Sequence, residues 1–311
     1  MALEVDRLRK RFGAVQALDG VSLRVEPGQI FGFLGSNGAG KTTTMRIVLS
    51  LMRPDDGTVT WDGRPAHAWP RRIWGYMPEE RGLYARMAVI DQLVHFATLY
   101  GVTRAAARKA ALDWLARFRI AEHAGRRLET LSKGNQQKVQ FIATILHEPD
   151  VLLMDEPFVG LDPINVKMLR SALLELRDRG RTIVFSTHQL EQAEALCDSV
   201  AIIDHGRIVT SGPTREVRRS TGHRVVRVAM ESGDAGWLGE MEGVTVTRGG
   251  ADYTEARVAP GVDPQAVLRA AVRRGPVLRL EVADPSLEEV FVELVGAIEA
   301  EEQTLAPGAG A

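Results

Sequence analysis

The segment Gly35–Thr43 (GSNGAGKTT) has the spacing G-x-x-x-x-G-K-[ST] of a phosphate-binding loop. It follows the strand-like run Gln29–Leu34. Glycines let backbone N–H groups curl around phosphate oxygens, and the N-terminus of a helix adds positive potential. We expect Lys41 to reach the β- and γ-phosphates and the Thr42 hydroxyl to bind Mg²⁺. The predicted phosphate-binding residues are Gly35, Ser36, Asn37, Gly38, Ala39, Gly40, Lys41, Thr42 and Thr43.

Two adjacent carboxylates, Asp155 and Glu156, follow the apolar run Val151–Met154. One acid close to Mg²⁺ can hold a coordinated water, while its neighbour orients and deprotonates the attacking water. We therefore predict Asp155 as a metal ligand and Glu156 as the general base. The alternative is a strand that runs into a helix beginning at Pro157, where acids are favourable in the first turn.

A third polar residue, His188, follows the strand-like run Thr182–Thr187. A neutral imidazole at this point could bind the γ-phosphate and hold the water-bearing carboxylate in place. A histidine at the end of a strand is more often structural, but here it comes after two phosphate-related motifs. All three motifs follow predicted strands, and open α/β sheets bind their ligands at the carboxyl ends of strands.

A second helix start containing glycine and serine lies in Leu131–Lys138 (LSKGNQQK). Ser132 is a candidate N-cap, and the apolar face continues through Val139, Ile142 and Leu146. One nucleotide does not need two such helix ends from the same chain. The phosphate-binding loop alone therefore does not explain the second helix start.

The elements that must position these residues form an α/β core. Strand-like patches at Leu3–Leu8, Val21–Val25 and Thr58–Trp61 predict an antiparallel β segment near the N-terminus. Continuous apolar runs such as Val151–Met154 are typical of strands buried on both faces of a parallel sheet. A long helical stretch separates the first two buried runs, and within it Thr103–Phe118 is a helix with Thr103 as its N-cap.

After about residue 220 the pattern changes to four strands and two helices in the order β-α-β-β-α-β, followed by a helix from Ser286 to about Ile298. We predict an α/β domain with the phosphate-binding loop over 1–220, with a helical subdomain at about 85–147. A small α+β accessory domain follows over 221–298. The polar, glycine-rich residues 299–311 are predicted to be a disordered tail.

Composition excludes several classes of protein. The 311 residues are 45% hydrophobic and 25% charged, as in soluble globular proteins, and the net charge of −1 gives no support for nucleic-acid binding. The single cysteine, Cys197, excludes an internal disulfide framework and suits a reducing compartment. The N-terminal residues lack the apolar core of a signal peptide, and no apolar run approaches the roughly 20 residues that span a bilayer. We expect a cytoplasmic chain whose membrane spans, if it acts at a membrane, belong to another polypeptide.

The ordered set of motifs resembles an ATP-binding subunit of ABC transporters. Walker A lies at Gly35–Thr42, the signature at Leu131–Gln136 and Walker B at Val151–Glu156. Asp162 occupies the D-loop, His188 the switch position, and Phe12 the place of the aromatic residue that stacks on adenine. The resemblance covers residues 2–220 and implies a RecA-like phosphate-loop fold that hydrolyses ATP with Mg²⁺.

In that family two subunits pack head to tail, and each ATP lies between the Walker A of one and the signature of the other. The resemblance thus implies a homodimer in which Ser132, Gly134, Asn135 and Asp162 contribute to the partner's nucleotide site, together with separately encoded transmembrane permease subunits. The chain would then be peripheral on the inner face of the cell membrane.

Two departures from the family pattern concern the site. The usual signature LSGGQ is here Leu131–Asn135 with lysine and asparagine in place of a glycine and the glutamine, and the Q-loop position holds Glu79, which could bind nucleotide-associated Mg²⁺. The segment around Glu79 and the C-terminal Ser286–Gly296 resemble the branch of prokaryotic drug and sodium exporters. We therefore expect an exporter ATPase.

Three alternatives compete with this expectation. A soluble ABC-type ATPase of translation or DNA repair would carry tandem cassettes or a long coiled-coil insertion, and neither is evident in the sequence. A GTPase would need a guanine-reading N-K-x-D, which Asn165–Met168 does not provide. A subunit that binds ATP without hydrolysis is disfavoured because Glu156 and His188 are both present. For the C-terminal domain, subunit dimerisation and regulation by a ligand both stay open, and its basic residues are predicted to be a solvated face.

Overall fold

The computed structural model describes residues 2–80, 82–233, 235–250 and 252–305, with side chains described to residue 296. The chain divides into two compact units, Met1–Pro213 and Thr214–Ala311. The boundary falls between Pro213 and Thr214, whereas the sequence predicts a first domain that extends to residue 220.

The first unit contains an antiparallel sheet of four strands and a second sheet of six strands. Its strands are β1 (Leu3–Phe12), β2 (Val15–Val25), β3 (Ile30–Leu34), β4 (Asp56–Trp61), β5 (Arg64–Pro65), β6 (Trp74–Met77), β7 (Val151–Asp155), β8 (Thr182–Thr187), β9 (Ser199–Asp204) and β10 (Arg207–Pro213). The antiparallel sheet has the order β2-β1-β4-β5, and the six-stranded sheet has the order β10-β9-β3-β8-β7-β6.

The helices of this unit flank the larger sheet or form the helical lobe. They are α1 (Lys41–Val48), α2 (Val89–Leu99), α3 (Arg104–Arg117), α4 (Lys133–Ile145), α5 (Pro163–Asp178) and α6 (Leu190–Leu196).

The larger sheet is parallel except for its edge strand β10, which pairs antiparallel with β9. Every residue of β3, β7 and β8 is buried, as their unbroken apolar sequences predict. These three strands are neighbours in the order β3-β8-β7. The loops that follow them therefore meet at one edge of the sheet, where the three predicted motifs lie.

The helical lobe consists of α2, α3 and α4. Thr103 caps α3 by accepting a hydrogen bond from the Ala106 N–H at 3.4 Å, as its sequence predicts. The aromatic rings of Trp114, Phe118 and Phe141 pack together between α3 and α4, with the two phenylalanine centroids 5.5 Å apart. This packing fixes the direction in which α4 presents its N-terminus.

The second unit is a four-stranded antiparallel sheet with helices. Its elements are α7 (Thr214–Arg219), β11 (Arg224–Met230), β12 (Val244–Gly249), β13 (Thr254–Val258), α8 (Gln265–Arg274), β14 (Val277–Ala283) and α9 (Leu287–Leu305). The strand order is β12-β13-β11-β14. The chain between β11 and β12 forms only a 3-10 helix, Gly236–Glu240, where the sequence predicted a longer helix, because two glycines in this short segment disfavour an α-helix.

Helix α9 begins with a capping box. Ser286 N–H donates to the Glu289 carboxylate at 2.7 Å, and Glu289 N–H donates back to the Ser286 hydroxyl at 3.2 Å. The helix continues to Leu305, into the segment from residue 299 that the sequence predicts to be a disordered tail. Alanine, glutamate and glutamine in this segment favour helix, which the polar composition concealed. Residues 306–311 of the predicted tail lie outside the described residues.

Candidate active site

The loop between β3 and α1 encloses the ammonium of Lys41. Lys41 Nζ donates to the carbonyl oxygens of Gly35 at 2.8 Å and Ser36 at 2.9 Å. Burial lowers the pKa of Lys41, while the nearby carboxylates of Glu156, Asp155 and Glu79 act in the opposite direction. The loop therefore holds a positive charge beside three acids, an arrangement that suits a polyanion accompanied by a cation.

Glycine is required at two positions of this loop for different reasons. A Cβ at Gly35 would lie 2.3 Å from the carbonyl oxygen of Ile203 in β9, so no larger residue fits. Gly40 has φ +109°, and a Cβ there would lie 2.6 Å from Leu18. The loop is thus wedged between β2 and β9, which sets the direction of its N–H groups toward the open side.

Asp155 ends β7 and accepts hydrogen bonds on both carboxylate oxygens. The Thr42 hydroxyl donates to Oδ2 at 2.6 Å, and the Ser186 hydroxyl donates to Oδ1. Together with the nearby Glu79, these side chains offer only oxygen atoms, the ligand type that Mg²⁺ takes. Within the described residues no group of three His, Cys, Asp or Glu side chains could hold a metal ion unaided. The oxygen donors of Thr42, Asp155 and Glu79 fit Mg²⁺, which is usually held by one or two carboxylates together with substrate phosphates.

Glu156 has an unusual backbone and a well-held carboxylate. Its φ is +50°, in the left-handed region that few residues other than glycine adopt. Oε1 accepts the backbone N–H of His188 at 3.0 Å and lies 2.9 Å from the Nδ1 of the same residue, while the Thr187 hydroxyl donates to Oε2 at 3.3 Å. Glu156 is buried, whereas the His188 side chain is 47% exposed. The imidazole thus connects the carboxylate to the surface of the site.

These side chains line one cavity of about 350 Å³. The lining residues are Asn37, Gly38, Gly40, Lys41, Thr42, Thr43, Glu79, Asp155 and Glu156. The structure therefore brings together most of the residues that the first two sequence motifs and the Q-loop predicted, with His188 hydrogen-bonded to the edge of this group.

Other predicted residues do not line this cavity. Ser132 caps α4, accepting the Asn135 N–H at 3.3 Å, and is exposed. A Cβ added to Gly134 would be 3.6 Å from the Gly160 carbonyl, and Asp162 caps α5 through the Asn165 N–H at 3.0 Å. The signature and D-loop residues thus form a second surface, beside the start of α5.

Phe12 also lies outside the lining of the cavity. Its side chain is 46% exposed, and the ammonium of Lys10 lies 5.6 Å from the ring centroid. An exposed ring at this position is free to stack on a planar ligand, and its place beside adenine stays a prediction.

Sequence reasoning missed four residues that hold the site together. Ser186 and Thr187 bind the two acids, as described above. In α4, Gln137 Nε2 donates to the Pro157 carbonyl at 3.2 Å and Gln140 Nε2 donates to the Pro78 carbonyl at 2.6 Å. The sequence signal was weak: two glutamines three residues apart in a helix whose buried residues also include Lys138 and Thr144.

Comparison with known proteins identifies the family. Residues 18–159 match the family model described as ABC transporter, and residues 212–295 match the model described as ATP-binding protein DrrA1-3-like, C-terminal domain. In the described part of the chain, no helix is long and apolar enough to cross a membrane.

Curated relatives span nearly the whole chain. The uncharacterized ABC transporter ATP-binding protein YhaQ of Bacillus subtilis (strain 168) is 40% identical over 95% of this chain and 99% of its own. The daunorubicin/doxorubicin resistance ATP-binding protein DrrA of Streptomyces peucetius is 34% identical over 95% of this chain and 92% of its own. A solved structure of an ATP binding subunit of an ABC transporter has a TM-score of 0.66 at 33% identity, covering 71% of this chain and 94% of that one.

These findings confirm the α/β phosphate-loop fold, the C-terminal accessory domain and the resemblance to the drug and sodium exporter branch. The chain belongs to the family of ABC transporter ATP-binding proteins and is an ATPase.

Proposed function

We propose that two copies of this chain bind ATP between them and drive an exporter whose membrane spans belong to separate subunits. The observation that carries the proposal is the separation of two surfaces within one chain. Lys41, Asp155 and Glu156 line one cavity, whereas Ser132 and Gly134 lie outside its lining at the start of α4. The binding site of a nucleotide at the cavity is completed by the α4 N-terminus of a second copy.

The start of α4 is suited to the γ-phosphate of a partner's ATP. The N-terminus of a helix carries partial positive charge and unpaired N–H groups, both favourable to an anion. Gly134 has no side chain, so the backbone of this turn can approach a phosphate closely. Lys133 is exposed on the same turn and adds a cation.

Within the cavity each acid has a distinct proposed role. Thr42, Asp155 and Glu79 would hold Mg²⁺, which would supply positive charge against the phosphates. Glu156 takes a proton from the attacking water as general base, and His188 orients that carboxylate through the 2.9 Å contact with Oε1. Lys41 binds the terminal phosphates.

The transmembrane subunit is proposed to dock on the helical lobe. A cleft of about 180 Å³ lies between the loop after β6 and the helices α2 and α4. Tyr100 stacks on His147 at 3.9 Å, and Tyr84, which is 54% exposed, stacks on Phe96 at 5.7 Å. Exposed aromatic side chains around a cleft are typical anchors for a protein partner. Gln140 connects this cleft to the loop that carries Glu79.

The names of relatives support export. Besides the daunorubicin/doxorubicin resistance protein, the Nod factor export ATP-binding protein I of Ralstonia nicotianae (strain ATCC BAA-1114 / GMI1000) is 35% identical over 94% of this chain. We extend the direction of transport from these proteins to this one and place it on the cytoplasmic face of the membrane. Co-purification with a polytopic membrane protein, followed by ATP-dependent efflux from vesicles, tests this part of the proposal.

The shared site is tested by mixing two inactive variants. Lys41→Ala disables the cavity, and Ser132→Glu places a carboxylate against the partner's phosphates. A mixed dimer contains one site with both residues intact, so ATPase activity should return after random mixing, to at most about a quarter of the wild-type level.

A matched control uses two defects on the same side of the site. A mixture of Lys41→Ala with Glu156→Gln has no intact cavity and should stay inactive. Glu156→Gln alone should bind ATP and lose about 10²–10⁴-fold in rate, as expected for a general base. If the first mixture is as inactive as the control although both variants are folded, the nucleotide is not shared.

A further inference from the structure

The edge strand β14 of the C-terminal unit has an exposed apolar side. Within the described residues of this unit, β14 pairs with β11 and with no strand on its other side. Leu278 is 69% exposed and Val282 is 40% exposed. Val282 lies opposite Val226, on the face that carries Val226 and Val228 and is covered by α8, whereas Leu278 stands at a register shift and has no partner in β11. An open edge flanked by apolar side chains can add another strand.

The sequence of β14 is self-complementary about its centre. The strand reads VLRLEVA from Val277 to Ala283, with Leu280 in the middle. In an antiparallel pair of two such strands with Leu280 opposite Leu280, Leu278 faces Val282 and Arg279 faces Glu281. Paired residues point to the same face of a sheet, so apolar side chains meet on one face and opposite charges on the other.

We propose that β14 pairs with β14 of a second copy of this chain in this register, forming a continuous eight-stranded sheet across a two-fold axis. A C₂ contact uses the same patch on both copies, as a self-complementary strand requires.

Charge selects this register over its neighbours. A shift of two residues one way places Arg279 opposite Arg279, and a shift the other way places Glu281 opposite Glu281. Like charges opposite one another destabilise a sheet. A shift of one residue places Arg279 opposite Leu280 and turns the apolar side chains to the wrong face. Arg279 and Glu281 form an ion pair within the strand and are 63% and 36% exposed, so both charges also remain accessible to a partner.

The opposite edge of the sheet does not offer the same match. Strand β12 reads VTVTRG over Val244–Gly249, and its register shifts between Val246 and Arg248. Register shifts occur in both edge strands, but β12 has one cation and no anion, so two copies of it cannot form opposite-charge pairs. The second copy is therefore assigned to β14.

The contact is small, and its effect depends on the assembly. Two seven-residue edges bury less than the roughly 1,200 Å² of a stable independent interface. Two chains held in one transporter, as the proposed function requires, have a high effective concentration, so a weak contact suffices. It would keep the C-terminal units together when no ATP lies between the nucleotide sites.

Cysteine cross-linking tests the register directly. Residues directly opposite in an antiparallel pair have Cα atoms about 4.5–5.5 Å apart, within the range of a disulfide. The full-length Leu280→Cys variant should therefore form a disulfide-linked dimer on mild oxidation. The experiment is done without nucleotide in a Lys41→Ala background, so that ATP-dependent dimerisation does not contribute. A wild-type chain, whose Cys197 is buried, shows the background.

Leu278→Cys is the matched control for this experiment. Leu278 is well exposed, but its two copies would be separated by four residues, about 13 Å. It should cross-link poorly with itself and readily with Val282→Cys on another chain. Equal or faster self-linking of Leu278→Cys than of Leu280→Cys overturns the proposal.

Charge reversal tests the same pairing through partner choice. In the Leu280→Cys background, Arg279→Glu and Glu281→Arg should each reduce self-linking about 10-fold, because each creates two like-charge pairs. Mixing the two variants restores both opposite-charge pairs and should give mixed dimers at the unreversed level. Misfolding cannot produce recovery on mixing. Absence of mixed dimers would show that β14 pairs with something else, whatever the fate of the shared nucleotide site.

Discussion

The hydroxyl of Ser186 is predicted to set the Mg²⁺ requirement of ATP hydrolysis. The Ser186 hydroxyl donates to Asp155 Oδ1 and accepts the Glu156 N–H at 3.2 Å. The same N–H also donates to the Ser186 carbonyl oxygen at 3.2 Å. Ser186→Ala therefore removes one hydrogen bond to a charged acceptor and leaves Glu156 N–H paired. Such a bond contributes about 1.5–3 kcal/mol.

This free energy corresponds to a change of about 10–150-fold in an equilibrium constant. Because Asp155 is the proposed metal ligand, the change should appear as a higher Mg²⁺ concentration at half-maximal ATPase rate. Loss of a partner that orients a metal ligand typically costs about 10–100-fold in metal affinity, in agreement with this value. The assay is ATP turnover against free Mg²⁺ at saturating ATP, with the melting temperature of each variant measured in parallel.

Thr187→Val is the control for this experiment. It removes the hydroxyl of the next residue, which bonds to Glu156 and to the Gln189 N–H but not to Asp155. Its Mg²⁺ requirement should match that of the wild type even if its rate is lower. An unchanged Mg²⁺ requirement in Ser186→Ala, or an equal increase in Thr187→Val, refutes the assignment of Asp155 as the ligand that Ser186 orients.

Three further predictions follow from the geometry. Gly35→Ala forces a Cβ against a backbone carbonyl and should lower the melting temperature by about 4–10 °C with loss of ATP binding, whereas Gly125→Ala, where a Cβ meets no atom within 4 Å and φ is not left-handed, should cost less than half of that in a thermal shift assay. Gln140→Leu removes the hydrogen bond to the loop of Glu79 and should raise the KM for MgATP by about 2–12-fold in steady-state kinetics, with Gln140→Glu as a size-matched comparison. Burial lowers the pKa of His147 below its ordinary 6.5, so the unfolded chain takes up this proton first as the pH falls. The contribution of His147 to the free energy of unfolding should therefore be largest above pH 6.5 and decrease as the pH falls below it. Urea titrations should show a smaller decrease for His147→Gln.

The sequence predicted the fold class and most of the cavity because both depend on local patterns. Buried strands that end in polar residues, such as Val151–Asp155, need no knowledge of distant contacts to be recognised. The N-caps Thr103 and Ser132 are likewise local, since each side chain bonds to an N–H three residues later. Both are confirmed by the structure.

Features that depend on contacts across the fold could not be predicted in this way. Ser186 and Asp155 are 31 residues apart and meet only because β7 and β8 are neighbours. The left-handed backbone of Glu156 has no sequence signal either, because glutamate rarely adopts that conformation without support from its surroundings. The roles of the signature residues in a second copy stay predictions, since one chain presents only half of the proposed site.

The connection between α4 and the loop after β7 implies that the two nucleotides of a dimer are not hydrolysed independently. Gln137 holds the Pro157 carbonyl, and Gly134 rests beside Gly160, so the surface offered to the partner's ATP is joined to the segment that begins at the chain's own Glu156. A shift of α4 on contact with the partner's nucleotide would therefore move Glu156, which lies beside the chain's own nucleotide. Turnover in the assembled dimer should accordingly rise with ATP concentration more steeply than a simple hyperbola.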